Sequence, residues 1–239
     1  MITKKKLAAQ KGSTSNGDTQ CGSARQRARG RQAIPWSIGR GAKPMDEYGT
    51  NLLERCVGRR YSIIYADPPW AYAQQGGPNG KRGMANAHYE TMTETQLIAL
   101  PVRDICTDDA VLFLWATFPN IRLALDVMYA WDFTYKTAAF VWVKKNRSGI
   151  GNFWGMGSYT RANAEVCLLG VSKGTKAAQQ VLSHGVHSII EAPVLRHSQK
   201  PAEARARIEQ LMGDVPRIEL FARERASGWD AWGNEVADA

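Results

Sequence analysis

The stretch Tyr61-Ser62-Ile63-Ile64-Tyr65-Ala66-Asp67-Pro68-Pro69-Trp70 decides the fold. Its first six residues are a β-branched and aromatic run, the pattern of a buried strand, and that strand ends at Asp67. Comparable runs lie further along at Val111–Trp115, Ala138–Val143, Val166–Leu169 and Arg217–Phe221. Between them fall plausible helices at Thr93–Leu100, Asn120–Tyr129 and Pro201–Met212. The last of these spaces Ala204, Ile208, Leu211 and Met212 as one apolar face, with Pro201 suited to its first turn, Gly213 at its end and Pro216 beyond. Strands alternating with helices imply a largely parallel sheet covered on both faces. No internal repeat is present. In such sheets ligands bind at the carboxyl ends of the strands, which makes Asp67-Pro68-Pro69-Trp70 the expected address of a site.

Each residue of that tetrapeptide has a physical use there. The 6-amino nitrogen of adenine is a poor nucleophile because its lone pair is delocalised into the ring. A carboxylate, Asp67, accepting one N–H and the Pro68 carbonyl accepting the other would localise that lone pair. Two prolines stiffen the backbone and present acceptors only. Trp70 offers a flat surface for an unstacked base, and together they suit a base taken out of its helix. The plainer alternative is a strand-ending turn followed by a core tryptophan.

Composition bounds the rest. The chain has 239 residues, enough for one substantial α/β domain and a tail. Its hydrophobic fraction of 44% is that of a globular protein. No apolar run approaches the ~20 residues that would cross a bilayer, and Lys4-Lys5-Lys6 is followed by no apolar stretch, so no secretory signal and no membrane association are expected and the compartment reads as cytoplasmic. Cys21, Cys56, Cys106 and Cys167 are far apart, which argues against a zinc ribbon or a disulfide framework. His184 and His187 lack nearby partners in sequence, so no metal is expected. The net charge of +9 lies wholly in residues 1–45, whose ten Lys/Arg face one acid, Asp18. That segment, residues 1–45, reads as a mostly disordered basic tail, and residues 46–239 as the folded domain. The tail either adds salt-sensitive attraction to phosphates or is a solvated stretch without a role.

With these residues in view, the chain resembles the MT-A70-like N(6)-adenine methyltransferases. The matching segments are Ala66–Trp70 (ADPPW), His88–Met92 (HYETM), Leu112–Trp115 (LFLW) and Val141–Asn146 (VWVKKN), then Tyr159–Val171, His197–Pro201 (HSQKP), Ile218–Arg223 (IELFAR) and Gly228–Glu235 (GWDAWGNE). The resemblance implies a Rossmann-like S-adenosylmethionine-dependent methyltransferase fold, its mixed, mostly parallel sheet placing the catalytic strand before the cofactor strand. It implies Asp67, Pro68, Pro69 and Trp70 as catalytic residues. It implies Asp67, Lys200, Glu219, Arg223, Asn234 and Glu235 as the cofactor-binding set, with Lys200 a point charge suited to a carboxylate. Lys200 could instead flank a helix start, and Glu219 could pair with Arg217.

The family pattern places Tyr89 near the target adenine, together with Trp70 and, more weakly, Tyr72. The glycine-rich stretch from Gln74 to Ala87 reads as a loop that orders over nucleic acid, and the stretch from Arg147 to Arg161, with Phe153 and Trp154, as a second substrate contact. A dinucleotide fingerprint is missing, since Gly149-Ile150-Gly151-Asn152-Phe153-Trp154 fails at its last position. The implied activity is transfer of a methyl group from S-adenosylmethionine to the 6-amino group of adenine in DNA, as in a compact bacterial or phage enzyme. An RNA enzyme, or a non-catalytic nucleic-acid-binding member, is the alternative.

Overall fold

The computed structural model describes residues 47–70, 91–157, 159–174, 181–196 and 199–236. The basic tail, Tyr72, Tyr89 and the stretch from Gln74 to Ala87 lie outside the described residues. Four helices, α1 (Glu47–Arg55), α2 (Glu94–Ala99), α3 (Ile121–Ala130) and α4 (Glu203–Met212), alternate with strands β1 (Tyr61–Ala66), β2 (Cys106–Ala116), β3 (Phe133–Lys145), β4 (Glu165–Ser172), β5 (Ile189–Pro193), β6 (Arg217–Leu220) and β7 (Asp230–Trp232). The described strands form one sheet in the order β5-β3-β4-β2-β1-β6-β7. β1 runs parallel to both β2 and β6, with Ala66 opposite Leu114 and Leu220. Only β4 is reversed, pairing antiparallel with β2 and β3.

Alternation along the strands sorts the core into two layers. Ile64 and Ala66 of β1, with Leu112 and Leu114 of β2, pack toward Leu52 of α1, Leu97 of α2 and Val127 and Met128 of α3. Their neighbours Ile63, Tyr65, Val111, Phe113 and Trp115 face the other way, onto Ala204, Ile208 and Met212 of α4. A sheet with both faces buried explains why these strands read as continuous apolar runs.

Local chemistry starts and stops the helices. Thr93 caps α2 in a reciprocal box: its hydroxyl accepts from the Gln96 amide, and Gln96 Oε1 accepts from the Thr93 amide at 2.8 Å. α4 stops at Gly213, whose φ of 84° is left-handed and whose N–H donates to the Glu209 carbonyl. Pro201 lies just ahead of α4 rather than in its first turn, its carbonyl accepting from the Ala204 amide.

The topology marks one place on the sheet. From β1 the chain steps to β2 and on to β5 at one edge; α4 then carries it back across to β6, on the other side of β1. The carboxyl ends of β1 and β6 therefore flank a topological switch point, where an open α/β sheet forms its ligand crevice. Because β4 is reversed, its first residue, Glu165, reaches the same edge as the last residues of β1, β2 and β3.

Trp131 closes α3 fully buried, and its indole N–H donates to the Leu97 carbonyl at 2.8 Å, tying α3 to α2. Trp131→Ala should destabilise the protein by about 3–5 kcal/mol, a large-to-small core change with a lost buried hydrogen bond. Equilibrium urea unfolding checks it.

Candidate active site

Asp67 leaves β1 at the switch point, where the sheet turns it toward a cleft that Lys200, Arg205, Glu219, Phe221, Arg223 and Glu235 also line. The turn after it is stiff. Pro68 and Pro69 fix the backbone, the Trp70 N–H donates to the Pro68 carbonyl at 2.8 Å, and the Met92 N–H donates to the Pro69 carbonyl at 3.1 Å. The Trp70 indole N–H donates to the carbonyl of Trp115 at 3.1 Å, on the neighbouring strand. That bond fastens the turn after Asp67 to the end of β2.

From Asp67 and Lys200, which line the cleft, runs an alternating chain of largely buried charges. Lys200 Nζ lies 2.7 Å from Asp67 Oδ2 and 3.2 Å from Glu165 Oε2. Glu165 Oε1 in turn meets Lys144 Nζ at 2.5 Å. The Lys200 side chain is only 8% exposed, and its ammonium sits 5.8 Å over the Trp115 ring. Burial alone would discharge Lys200, but the Asp67 and Glu165 carboxylates outweigh it and hold its pKa above the ordinary lysine value. Burial also works against the charge on Glu165, and Lys200 and Lys144 together overcome it and lower its pKa. Asp67 goes the other way. Burial raises its carboxyl above the ordinary value against the pull of Lys200, and the nearby Glu165 charge adds to the rise. Two carboxylates on one lysine thus have their pKa values pushed apart, the arrangement that separates an anchoring charge from a group able to accept a proton.

The other side of the cleft is built at the ends of β6 and β7. Glu219 pairs with Arg205 of α4 at 2.8 Å, Arg205 reaches Glu224 at 3.4 Å, and Arg223 Nε lies 3.4 Å from Glu235. Burial pushes the Glu219 carboxyl up, with Arg205 opposing. Phe221 leaves β6 in the left-handed region at φ 63°, an uncommon conformation for a residue with a side chain. The turn brings Ala222 beside β7, its N–H donating to the Trp232 carbonyl at 2.9 Å. Gly233 is then required by space: a Cβ there would stand 2.2 Å from the Ala222 carbonyl oxygen.

Five of the six cofactor candidates, Asp67, Lys200, Glu219, Arg223 and Glu235, share this cleft. Asn234 is exposed beside it. Glu219 pairs with Arg205, not with Arg217, which bonds Asp214 at 2.7 Å. Lys200 does precede α4, but its ammonium turns to the carboxylates. Trp70 differs from its sequence reading. It is 4% exposed and packed in the α1–α3 layer, the core tryptophan of the plainer alternative and not an open surface. The Pro68 carbonyl already accepts from Trp70 and keeps one lone pair for a further donor.

Sequence reasoning passed over Glu165, Lys144 and Arg205. The signal for Glu165 was an acid opening an otherwise apolar strand, Glu165-Val166-Cys167-Leu168-Leu169. Among the described residues no group of His, Cys, Asp and Glu side chains is arranged to hold a metal, and no helix is long and apolar enough to cross a membrane.

A family model described as MT-A70 matches residues 61–235. The chain is 32% identical over 209 residues to the type II methyltransferase M.MunI of Mycoplasma sp, covering 82% of this chain and 84% of that protein. It is 26% identical over 179 residues to an N(6)-adenosine-methyltransferase MT-A70-like protein of Arabidopsis thaliana, 74% of this chain but 24% of that one. With the N(6)-adenine-specific methyltransferase METTL4 of Homo sapiens it shares 27% over 187 residues, 74% of this chain and 38% of the relative.

Lys200→Met would leave Asp67 and Glu165 facing each other across a buried gap, at a cost on the order of 3 kcal/mol at neutral pH. The Asp67 carboxyl would then stand still further above its unfolded value, so the folded variant binds more protons than the unfolded chain. Its stability should rise as pH falls from neutrality toward the ordinary carboxylate pKa, narrowing the gap to the parent. Urea unfolding of both proteins across that range measures it.

Proposed function

Because this chain belongs to the MT-A70 family of methyltransferases, we propose that it transfers a methyl group from S-adenosylmethionine to the 6-amino nitrogen of adenine in DNA. The observation that carries this reading is Asp67: a carboxyl that lines the cleft at the switch point of the sheet, with a raised pKa, followed by a stiff turn whose Pro68 carbonyl keeps a lone pair for a further donor. One acceptor takes each N–H of the amine, and the lone pair is left to point at the methyl donor. Asp67 can take up the proton released by the transfer, because its neighbour Glu165 holds the permanent negative charge that keeps Lys200 in place. The protein's contribution is orientation and electrostatics.

The cleft fits the cofactor by its donor set. S-adenosylmethionine carries a carboxylate and an ammonium at one end, a ribose diol in the middle and an adenine at the other. Lys200 suits the carboxylate, Asp67 the cationic portion, and Glu219 accepts hydroxyl donors. Arg223 and Glu235 line the β6 and β7 side of the cleft and suit the nucleoside end, with Asn234 assigned to the same end as the neighbour of Glu235 in sequence. When bound, the cofactor supplies an electrophilic methyl group on a sulfonium.

DNA is favoured over RNA by the matched lengths. The chain and the Mycoplasma type II methyltransferase cover most of each other, whereas this chain spans about a quarter of the plant adenosine enzyme. We assign catalysis to residues 46–239 and to the basic segment 1–45 a salt-sensitive attraction for phosphates.

Incubation with methyl-labelled S-adenosylmethionine and separate DNA and RNA pools, followed by nucleoside analysis, tests the assignment: label should appear in N(6)-methyladenine from DNA. Label in the RNA pool alone would move the substrate, and label on another atom would end the proposal. Asp67→Ala should lower turnover by roughly a thousandfold or more, with cofactor affinity changed only a few-fold.

A further inference from the structure

The connection between β3 and β4 is a loop whose backbone is tied down while its apolar side chains are held out. At its root Asn163 pairs with the Lys144 backbone in both directions, at 3.0 and 2.9 Å, and its amide also donates to the Phe153 carbonyl. The Phe153 N–H donates to the Lys144 carbonyl, and the Gly155 N–H to that of Ala162. Arg161 turns inward and donates to the carbonyls of Gly155 and Trp154 at 3.0 and 3.2 Å. Gly157 folds so tightly over Thr160 that a Cβ would stand 2.0 Å from its carbonyl oxygen.

On this frame Ile150 is 80% exposed, Trp154 53%, Met156 85% and Tyr159 fully exposed. Single exposed apolar side chains need no explanation, but four within ten residues of one internally bonded loop form a patch. The patch has a place and a sign. β3 ends and β4 begins at the edge of the sheet that carries Asp67, and Lys144 and Glu165, which bracket the loop, belong to the charge chain of the active site. Between Asn146 and Asn163 the sequence holds Arg147 and Arg161 and no acidic residue. Aromatic faces with cations and without acids complement a polyanion whose bases are unstacked.

We propose that this loop is a nucleic-acid lip, on which Trp154 and Tyr159 stack against unpaired bases of the strand carrying the target adenine while Arg147 draws its phosphates. The inference rests on the adenine-methylation reading of the neighbouring cleft. It also supplies the open aromatic surface that the buried Trp70 does not provide. A frame already ordered before binding loses little entropy on contact, which favours stacking on a pre-shaped loop.

The test uses the full chain, its Trp154→Ala/Tyr159→Ala double variant, the Trp154→Phe/Tyr159→Phe variant, and Tyr135→Ala as a control. Tyr135 is an exposed aromatic near the start of β3, toward the opposite edge of the sheet. Fluorescence anisotropy on a labelled single-stranded adenine-containing oligonucleotide measures binding without turnover, and methyl transfer to the same oligonucleotide gives kcat and KM. In the double alanine variant the Kd and KM for DNA should rise roughly ten- to a hundredfold, as loss of one or two stacked bases requires. Its kcat at saturating DNA should stay within about threefold. The Phe variant should recover most of the affinity, and Tyr135→Ala should match the parent. Unchanged Kd and KM in a folded alanine variant would overturn the lip. So would sedimentation showing a parent dimer that the alanine pair disperses while DNA affinity is kept, because the patch would then cover a second copy. A parent protein that binds the oligonucleotide through Trp154 and Tyr159 but methylates none would sustain the lip and refute the catalytic reading instead.

Discussion

Lys200 is the residue on which the site's geometry depends. Its ammonium is buried, and a buried cation is tolerable only if carboxylates meet it at hydrogen-bond distance. Those carboxylates come from different parts of the sheet: Asp67 from the end of β1 and Glu165 from the start of β4, with β2 between them. Lys200 itself arrives on the segment that leads into α4. One charge thus joins two strands and a crossover at the same edge. Removing water from this cluster also makes its members unequal, because Glu165 has two lysines and Asp67 one. The inequality leaves Asp67 as the group of raised pKa.

The reversal of β4 makes that meeting possible. In an all-parallel sheet the first residue of every strand would lie at the amino edge, far from the crevice. Turning one strand around delivers a strand-opening acid to the carboxyl edge, and it also places the β3–β4 connection there. The same reversal therefore supplies the electrostatic anchor of the cleft and the loop beside it. The switch point does the rest, since the return through α4 separates β1 from β6 in sequence while leaving them adjacent in space.

The strands with the densest apolar runs were legible in the sequence. β1 spans Tyr61–Ala66 as read, and the patterns near Val111, Ala138 and Val166 lie inside longer strands. Reading Arg217–Phe221 as one strand overran by a residue, because Phe221 turns into the left-handed region to begin the approach to β7. α1, β5 and β7 went unread because their identity is tertiary. β7 has three residues, and α1 is held partly by a bond from Trp232 of β7 to Asn51. For the site, the motif segments pointed to Asp67, Lys200, Glu219, Arg223 and Glu235, which do line one cleft. Periodicity and spacing could not show the partners of those charges. Lys144, Glu165 and Arg205 are defined by which elements the topology brings together, and no window of sequence contains that.

Trp70 shows why a motif residue and its chemistry can part. An aromatic just past a strand-ending carboxylate suggests a base-stacking surface, yet the indole is packed inside and its N–H is spent on the Trp115 carbonyl. Trp115 continues the chain, donating its own indole N–H to the Tyr65 hydroxyl at 2.7 Å while its ring lies beneath Lys200. Tyr65 stands two residues before Asp67 on β1. The path therefore leaves β1 at the turn after Asp67 and returns to it through β2, closing a ring of buried bonds across the segment that holds Asp67. Each bond contributes only about 1 kcal/mol net, but leaving any of these buried groups unpaired costs about 1–3 kcal/mol. The Trp70 indole is thus accounted for by packing and by its bond to β2, which fasten the turn that follows Asp67. The surface that meets a base has to be sought among the side chains that solvent can reach.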